Sequence, residues 1–170
     1  MIKHLTKPIR AIHFMVLAFL MTLSAPVAAQ DFQKGLAAYN ARDYATALQE
    51  WTPLAEQGYD SAQYNLGFMY RNGKGVPQDY AEAVKWYRLA VEQGFAVAQY
   101  NLGVMYHNGN GVLQDNTMAH MWYNIASANG HDKSGEWRDE RAGLMTNADI
   151  SKAQAMAREC MSSGYTKCVY

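Results

Sequence analysis

GYDSAQYNLGFMYRNGKGVPQDYAEAVKWYRLAVEQ, residues Gly58 to Gln93, decides the fold, because the next 36 residues, Gly94 to Asn129, repeat it without a gap. Identity holds at 19 of the 36 positions. Ala62-Gln63-Tyr64-Asn65-Leu66-Gly67 returns as Ala98-Gln99-Tyr100-Asn101-Leu102-Gly103, and Met69-Tyr70 as Met105-Tyr106. The turn recurs as well: Asn72-Gly73, Gly75-Val76 and Gln78-Asp79 match Asn108-Gly109, Gly111-Val112 and Gln114-Asp115. Self-similarity at a fixed step marks a repeat architecture. The step reaches outward, since Asp43, Asp79 and Asp115 are each 36 apart, as are Ala47, Ala83 and Ala119, and Gly58, Gly94 and Gly130. A partial copy over 31–58 therefore precedes complete copies over 58–93 and 94–129, and its segment Asp31 to Arg42 reads as a helix on a shortened turn without the Gly-x-Gly-Val loop.

Each unit reads as two helices. In the first, Ala62, Leu66, Met69 and Tyr70 share one face at helical spacing and Gly73 ends the run. Asp79 is placed to cap the second, with Glu82 three residues on completing a capping-box pattern, and Gly94 stops it. Ala83, Trp86, Tyr87 and Ala90 form the second helix's apolar stripe. One helical pair cannot bury this surface alone, so neighbouring units must stack and share a core. The expected fold is all-α: a short α-solenoid of antiparallel helix pairs. After Gly130 the third copy decays. Arg138 and Arg141 stand where the repeat would place Leu and Met, and Glu136, Asp139 and Glu140 add charge, as suits a terminal unit whose outer face meets water. Ala148 to Cys160, with Ile150, Ala153, Met156 and Ala157 on one side, reads as a C-terminal capping helix, so 131–170 is a degenerate repeat and cap.

The chain begins with Lys3, Lys7 and Arg10, then an apolar run from Ala11 to Leu23, then Ser24-Ala25-Pro26-Val27-Ala28-Ala29. This is the layout of a cleaved secretory signal peptide over 1–29, with the cut after Ala29, and the run is short of the roughly 20 residues of a spanning helix. The expected location is periplasmic or secreted, without stable membrane insertion after cleavage. Subtracting those three basic residues from the 15 in the chain leaves 12, against 15 acidic ones, so no basic footprint for nucleic acid is present. Cys160 and Cys168 would lie where disulfides persist. A bridge closing the tail and a pair of free thiols both fit the sequence.

The pattern Ala-x-x-x-Leu-Gly-x-Met-Tyr, Asn-Gly-x-Gly-Val-x-x-Asp, Ala-x-x-Trp-Tyr-x-x-Ala at a 36-residue step resembles the Sel-one-like repeat, a relative of the tetratricopeptide repeat. The likeness is close over 62–130 and partial over 31–58. It implies a superhelical repeat array, and an adaptor or scaffold that contacts envelope or host proteins when exported. Some disulfide-rich exported relatives are linked to β-lactam binding or hydrolysis, but they carry a Cys pair in each repeat, and residues 31–159 contain none.

Gly67 and Gly73 are separated by five residues and followed by Lys74-Gly75, which fails the phosphate-loop spacing and lacks its hydroxyl. Neither Gly-x-Ser-x-Gly nor Ser-x-x-Lys occurs. His107, His120 and His131 replace Arg71, Val84 and Phe95 of the preceding copy without a metal-ligand pattern, so structural or surface roles are expected. No catalytic residue, metal or cofactor is expected, and the chain reads as a non-enzymatic binding module. Tyr64 and Tyr100 point roughly opposite Ala62 and Leu66 on the wheel, with Phe68 or Val104 and Arg71 or His107 beside them. These six residues are the candidate groove for a peptide or protein, where aromatic and Arg side chains make good anchors. Packing of Tyr64 and Tyr100 against the next repeat is the competing reading. A carbohydrate-binding envelope protein using Tyr64 beside Asn65 is a further alternative, and so short an array would also suit end-to-end self-association.

Overall fold

The computed structural model describes residues 31–168. The expected signal peptide, 1–29, lies outside the described residues. The described chain is all-helical: α1 over 31–40, α2 Tyr44–Glu56, α3 Asp60–Asn72, α4 Tyr80–Val91, α5 Ala96–Asn108, α6 Asn116–Ala128, α7 Ser134–Ala142 and α8 Asn147–Ser162. Helices α1, α3, α5 and α7 are the first helices of successive units, and α2, α4 and α6 the second helices.

The repeated residues explain the repeated geometry. Asp43, Asp79 and Asp115 cap α2, α4 and α6, accepting from Thr46 N at 3.1 Å, from Glu82 N at 2.9 Å and from Met118 N at 3.0 Å. This satisfies amides that the first helical turn leaves without partners. The capping box expected at Asp79 is only half formed, because the Glu82 carboxylate pairs with Lys85 at 3.0 Å. Helices α3 and α5 end at Gly73 and Gly109, both left-handed with φ 62° and 70°. Lys74 N and Asn110 N then donate back to Met69 O and Met105 O. The second glycine of each loop serves a different purpose. A Cβ on Gly75 would lie 2.6 Å from Tyr44 Cβ, and Gly111 stands equally close to Tyr80, the equivalent residue one unit later, so the loop rests directly on the preceding unit.

Within each unit the helices meet at a glycine and a ring. A Cβ on Gly67 would come within 2.7 Å of the Tyr87 ring, and one on Gly103 within 2.7 Å of the Tyr123 ring. Gly35 faces Trp51 in the same way. Gly67 and Tyr87 are 20 residues apart, and Gly35 and Trp51 are 16, so the first unit is a true repeat whose turn is four residues shorter. That shorter turn ends α1 with Arg42 at φ 63°.

Two core clusters run through the stack, one centred on Trp51, Leu66 and Met69 and the other on Tyr87, Leu102, Trp122 and Tyr123. A side-chain amide bond recurs within each complete unit, joining the end of its second helix to a buried glutamine of its first. Gln93 Nε2 donates to Gln63 Oε1 at 2.7 Å, and Asn129 Nδ2 donates to Gln99 Oε1 at 2.8 Å, the same bond one repeat later. Helix α8 packs on α6 instead of pairing with α7, and buries Ala153, Ala157 and Cys160 there. A disulfide joins Cys160 to Cys168, with Cα atoms 4.4 Å apart. The loop it closes carries Tyr165, which lies over Gly94 and accepts from Asn129 Nδ2 at 2.6 Å.

Candidate functional site

The first helices carry the six candidate groove residues, and all six lie on the face that borders the clefts between these helices. The structure divides them into two clefts with a plug between. The α1–α3 cleft, about 210 Å³, is lined by Leu36, Tyr39, Trp51, Tyr64, Asn65 and Phe68 among others. The α5–α7 cleft, about 180 Å³, is lined by Tyr100, Val104, His107, Tyr123 and Trp137, with Asn108 at its edge. These clefts are one site seen twice. In repeat register Leu36 corresponds to Val104, Tyr39 to His107, Trp51 to Tyr123, and Asn65 of the following unit to Trp137.

The equivalent site between α3 and α5 is occupied by Arg71, whose Nη1 donates to Asn101 Oδ1 at 2.6 Å. Asn101 is held in turn by donating its Nδ2 to Val97 O at 2.8 Å. The guanidinium lies close to the phenols of Tyr64 and Tyr87. Burial pushes both phenols above the ordinary tyrosine value, and the Arg71 charge draws them part of the way back. Arg71 therefore belongs to the groove face, but it links two units as well as facing outward.

Tyr64 and Tyr100 pack against the next repeat, as the competing reading expected, and each also borders a cleft. Tyr64 packs on Tyr87 and on Phe95 of the next unit, with centroids 6.0 and 5.4 Å apart, and still lines the first cleft. Tyr100 packs on Tyr123 and stacks on His131 at 4.4 Å, and lines the other. His107 Nδ1 lies 3.0 Å from Arg141 Nη1. A guanidinium only donates, so Nδ1 accepts and the ring proton sits on Nε2. Burial, and then the Arg141 charge, hold His107 below the usual histidine value.

Arg141 corrects one expectation. A charged terminal unit should turn its charges to water, yet Arg141 is only 7% exposed. It keeps the buried station of Met69 and Met105 while its head group reaches His107 and the Glu140 carboxylate. Glu136, Asp139 and Glu140 are exposed as expected. His120 takes the buried station of Val84 and has no hydrogen-bond partner at Nδ1.

Sequence reasoning missed Tyr39, Trp137, Asn101 and Arg141 as parts of this face. Tyr39 and Trp137 lie in the shortened and the decayed units, where the register is hard to follow. Asn101 was visible only as an invariant position, and Arg141 only as an apolar station turned basic. A larger cleft, about 620 Å³, is elsewhere, between α4, the α5–α6 loop and α8, with Arg88, Leu113, Lys152 and Met156 on its walls. Among the described residues no group of three or more His, Cys, Asp or Glu could hold a metal ion, and no helix is long and apolar enough to cross a membrane.

The family model for the Sel1 repeat matches residues 60–95 and 96–131. Among solved structures, the chain is similar to a protective antigen present in uropathogenic Escherichia coli strains and displaying an SLR fold. Identity is 27% and the TM-score 0.77, over 82% of this chain and 32% of that one. It is also similar to a Sel1 repeat protein from Oxalobacter formigenes, at 34% identity and TM-score 0.61, over 63% of this chain and 44% of that one. The chain thus spans less than half the length of either relative. No curated protein matches the chain. Two matched repeats, the repeat-for-repeat geometry around them and these neighbours agree: residues 60–131 are two Sel1 repeats, and the fold around them is similar to that of Sel1-repeat proteins.

Proposed function

We propose that this protein is a non-enzymatic extracytoplasmic adaptor that holds an extended segment of another protein along the face of α1, α3, α5 and α7. Sel1 repeats generally mediate protein–protein interaction. The observation that carries the finer reading is the pair of equivalent clefts, α1–α3 and α5–α7, on that one face. Their half-buried Phe68 and Val104 differ between copies whose stacking residues are invariant, so they are free to set specificity. Export is supported by the charged, apolar and small-residue order of residues 3–29, and by the Cys160–Cys168 disulfide, a bond that persists in oxidising compartments. One relative being a protective antigen accords with that location.

The test is a peptide-display selection on the chain from residue 30 onward, followed by fluorescence-anisotropy titration of the enriched peptides. A Phe68→Asp, Val104→Asp variant with unchanged helical circular dichroism is expected to lose at least about tenfold in affinity, the scale of an interface anchor. Leu113→Asp, altering an exposed side chain of the 620 Å³ cleft, is expected to bind as the parent does. The opposite pattern would move the binding surface to that cleft and overturn the reading.

A further inference from the structure

The three equivalent sites between first helices are not chemically equal. The outer two are open and walled by apolar and aromatic side chains: Leu36, Tyr39 and Phe68 in one, Val104, Tyr123 and Trp137 in the other. The middle one holds a cation. The Arg71 guanidinium is partly buried, and the groups it meets are neutral: the Asn101 amide, to which it donates at 2.6 Å, and the Tyr87 hydroxyl beside it. None of the ion pairs among the described residues includes Arg71. By contrast Arg141, the other guanidinium on this face, pairs with Glu140, and His107 beside it accepts a hydrogen bond as a neutral ring. A partly desolvated guanidinium with no carboxylate loses hydration without regaining it from a counter-charge, which favours an arriving anion. The position of Arg71 in the last turn of α3 eases this cost through the helix dipole but supplies no acceptor for its remaining donors.

Resting on the adaptor reading above, we propose that the segment held on this face carries a carboxylate between two apolar residues, the carboxylate pairing with Arg71 and the apolar side chains entering the α1–α3 and α5–α7 clefts. At the roughly 10 Å spacing typical of packed helices, the two helix steps that separate the clefts span roughly 20 Å. An extended chain covers that in about six residues, which places the acid about three residues from each apolar anchor. The carboxylate is that of an internal Asp or Glu or, in a truncated segment, a free C-terminus. A ligand of this pattern would also be drawn to the Arg71 charge.

The probes are fluorescein-labelled, C-amidated nonapeptides with Leu or Phe at the second and eighth positions, Ser and Ala elsewhere, and Glu, Gln or Lys at the centre. A fourth peptide ends in a free carboxylate at the central position. Affinities are measured by anisotropy against the parent, Arg71→Gln and Arg71→Lys, each checked for unchanged circular dichroism and Tm. The Glu peptide is expected to bind about tenfold tighter than the Gln peptide, and the Lys peptide weakest. Arg71→Gln should erase the Glu-over-Gln preference while leaving Gln-peptide affinity within about twofold, and Arg71→Lys should restore part of it. Preference for the free-carboxylate peptide over the internal Glu peptide would assign the anion to a chain terminus. Equal binding of the Glu and Gln peptides by the parent would overturn the carboxylate pairing and leave the groove standing. Loss of all binding in Phe68→Asp, Val104→Asp with the preference intact in Arg71→Gln would likewise sink the Arg71 role alone. No binding of any nonapeptide to the parent would overturn both.

Discussion

At the scale of single residues, the molecule depends on glycines whose missing side chains make room for rings. Gly103 lies mid-helix in α5, where glycine costs about 1 kcal/mol relative to alanine on propensity alone. Propensity therefore predicts that Gly103→Ala stabilises. Packing predicts the reverse, because the new Cβ would stand 2.7 Å from Tyr123 Cε1, on a ring that is itself fully enclosed. Overpacking of this kind typically costs about 1–3 kcal/mol. We expect Gly103→Ala to lower the free energy of unfolding in a urea titration by about 1–2 kcal/mol. Gly135→Ala in α7, whose Cβ would meet nothing closer than 3.4 Å, should be neutral or slightly stabilising. A stabilised Gly103→Ala would mean that helix pairs do not close on these glycines. Gly103 and its counterpart Gly67 show why the fold was legible in the sequence. Gly67 and Gly103 recur at the repeat step together with Tyr87 and Tyr123, so contact partners could be read as partners in period.

Among the elements, α7 is the helix that His107, His120 and His131 border. His107 from α5 touches its Arg141, His120 from α6 faces its Arg138 and Asp139, and His131 reaches the Ser134 hydroxyl at 2.8 Å, with Asp132 and Lys133 beside it. Burial holds all three histidines below their ordinary value of 6.5, with Arg141 and Arg138 adding to the effect at His107 and His120. Between those lowered values and 6.5 the unfolded chain binds more protons than the folded one, so stability rises with pH there. The contribution is fully present above about pH 6.5 and is lost as pH falls through the folded values. We expect Tm to drop by a few degrees from pH 7.5 to pH 5, a change of the order of 1 kcal/mol. His120→Val, which copies the residue at the preceding repeat's equivalent station, should shrink that drop. A Tm that holds or rises toward pH 5 would contradict the sign. None of these contacts could be read in the sequence. Arg71 with Asn101 and His107 with Arg141 are 30 and 34 residues apart, distances set by how units stack and not by the period within a unit. The decay of the third repeat likewise hid that α7 keeps a buried station at Arg141.

At the scale of the whole molecule, a short array is closed at its C-terminal side by α8 and the disulfide loop, whose Tyr165 ties the tail back to Gly94 and Asn129. The face of the first helices presents an apolar cleft, a guanidinium and a second apolar cleft in repeat order. The sequence placed Tyr64, Phe68, Arg71, Tyr100, Val104 and His107 on one stripe because helical spacing is local. It could not show that the stripe divides in three, because that requires Leu36 and Tyr39 of the shortened unit and Trp137 of the decayed one. The central claim is that this face, and not the larger cleft beside Arg88 and Leu113, receives the partner. The most direct measurement is a ¹⁵N chemical-shift titration of the chain from residue 30 onward with the Leu-flanked, central-Glu nonapeptide. The account predicts saturable shifts at Phe68, Val104 and the Arg71 side-chain Nε–H, with Leu113 and Met156 unmoved. Shifts confined to the Leu113–Met156 cleft, or spread without saturation, would contradict it.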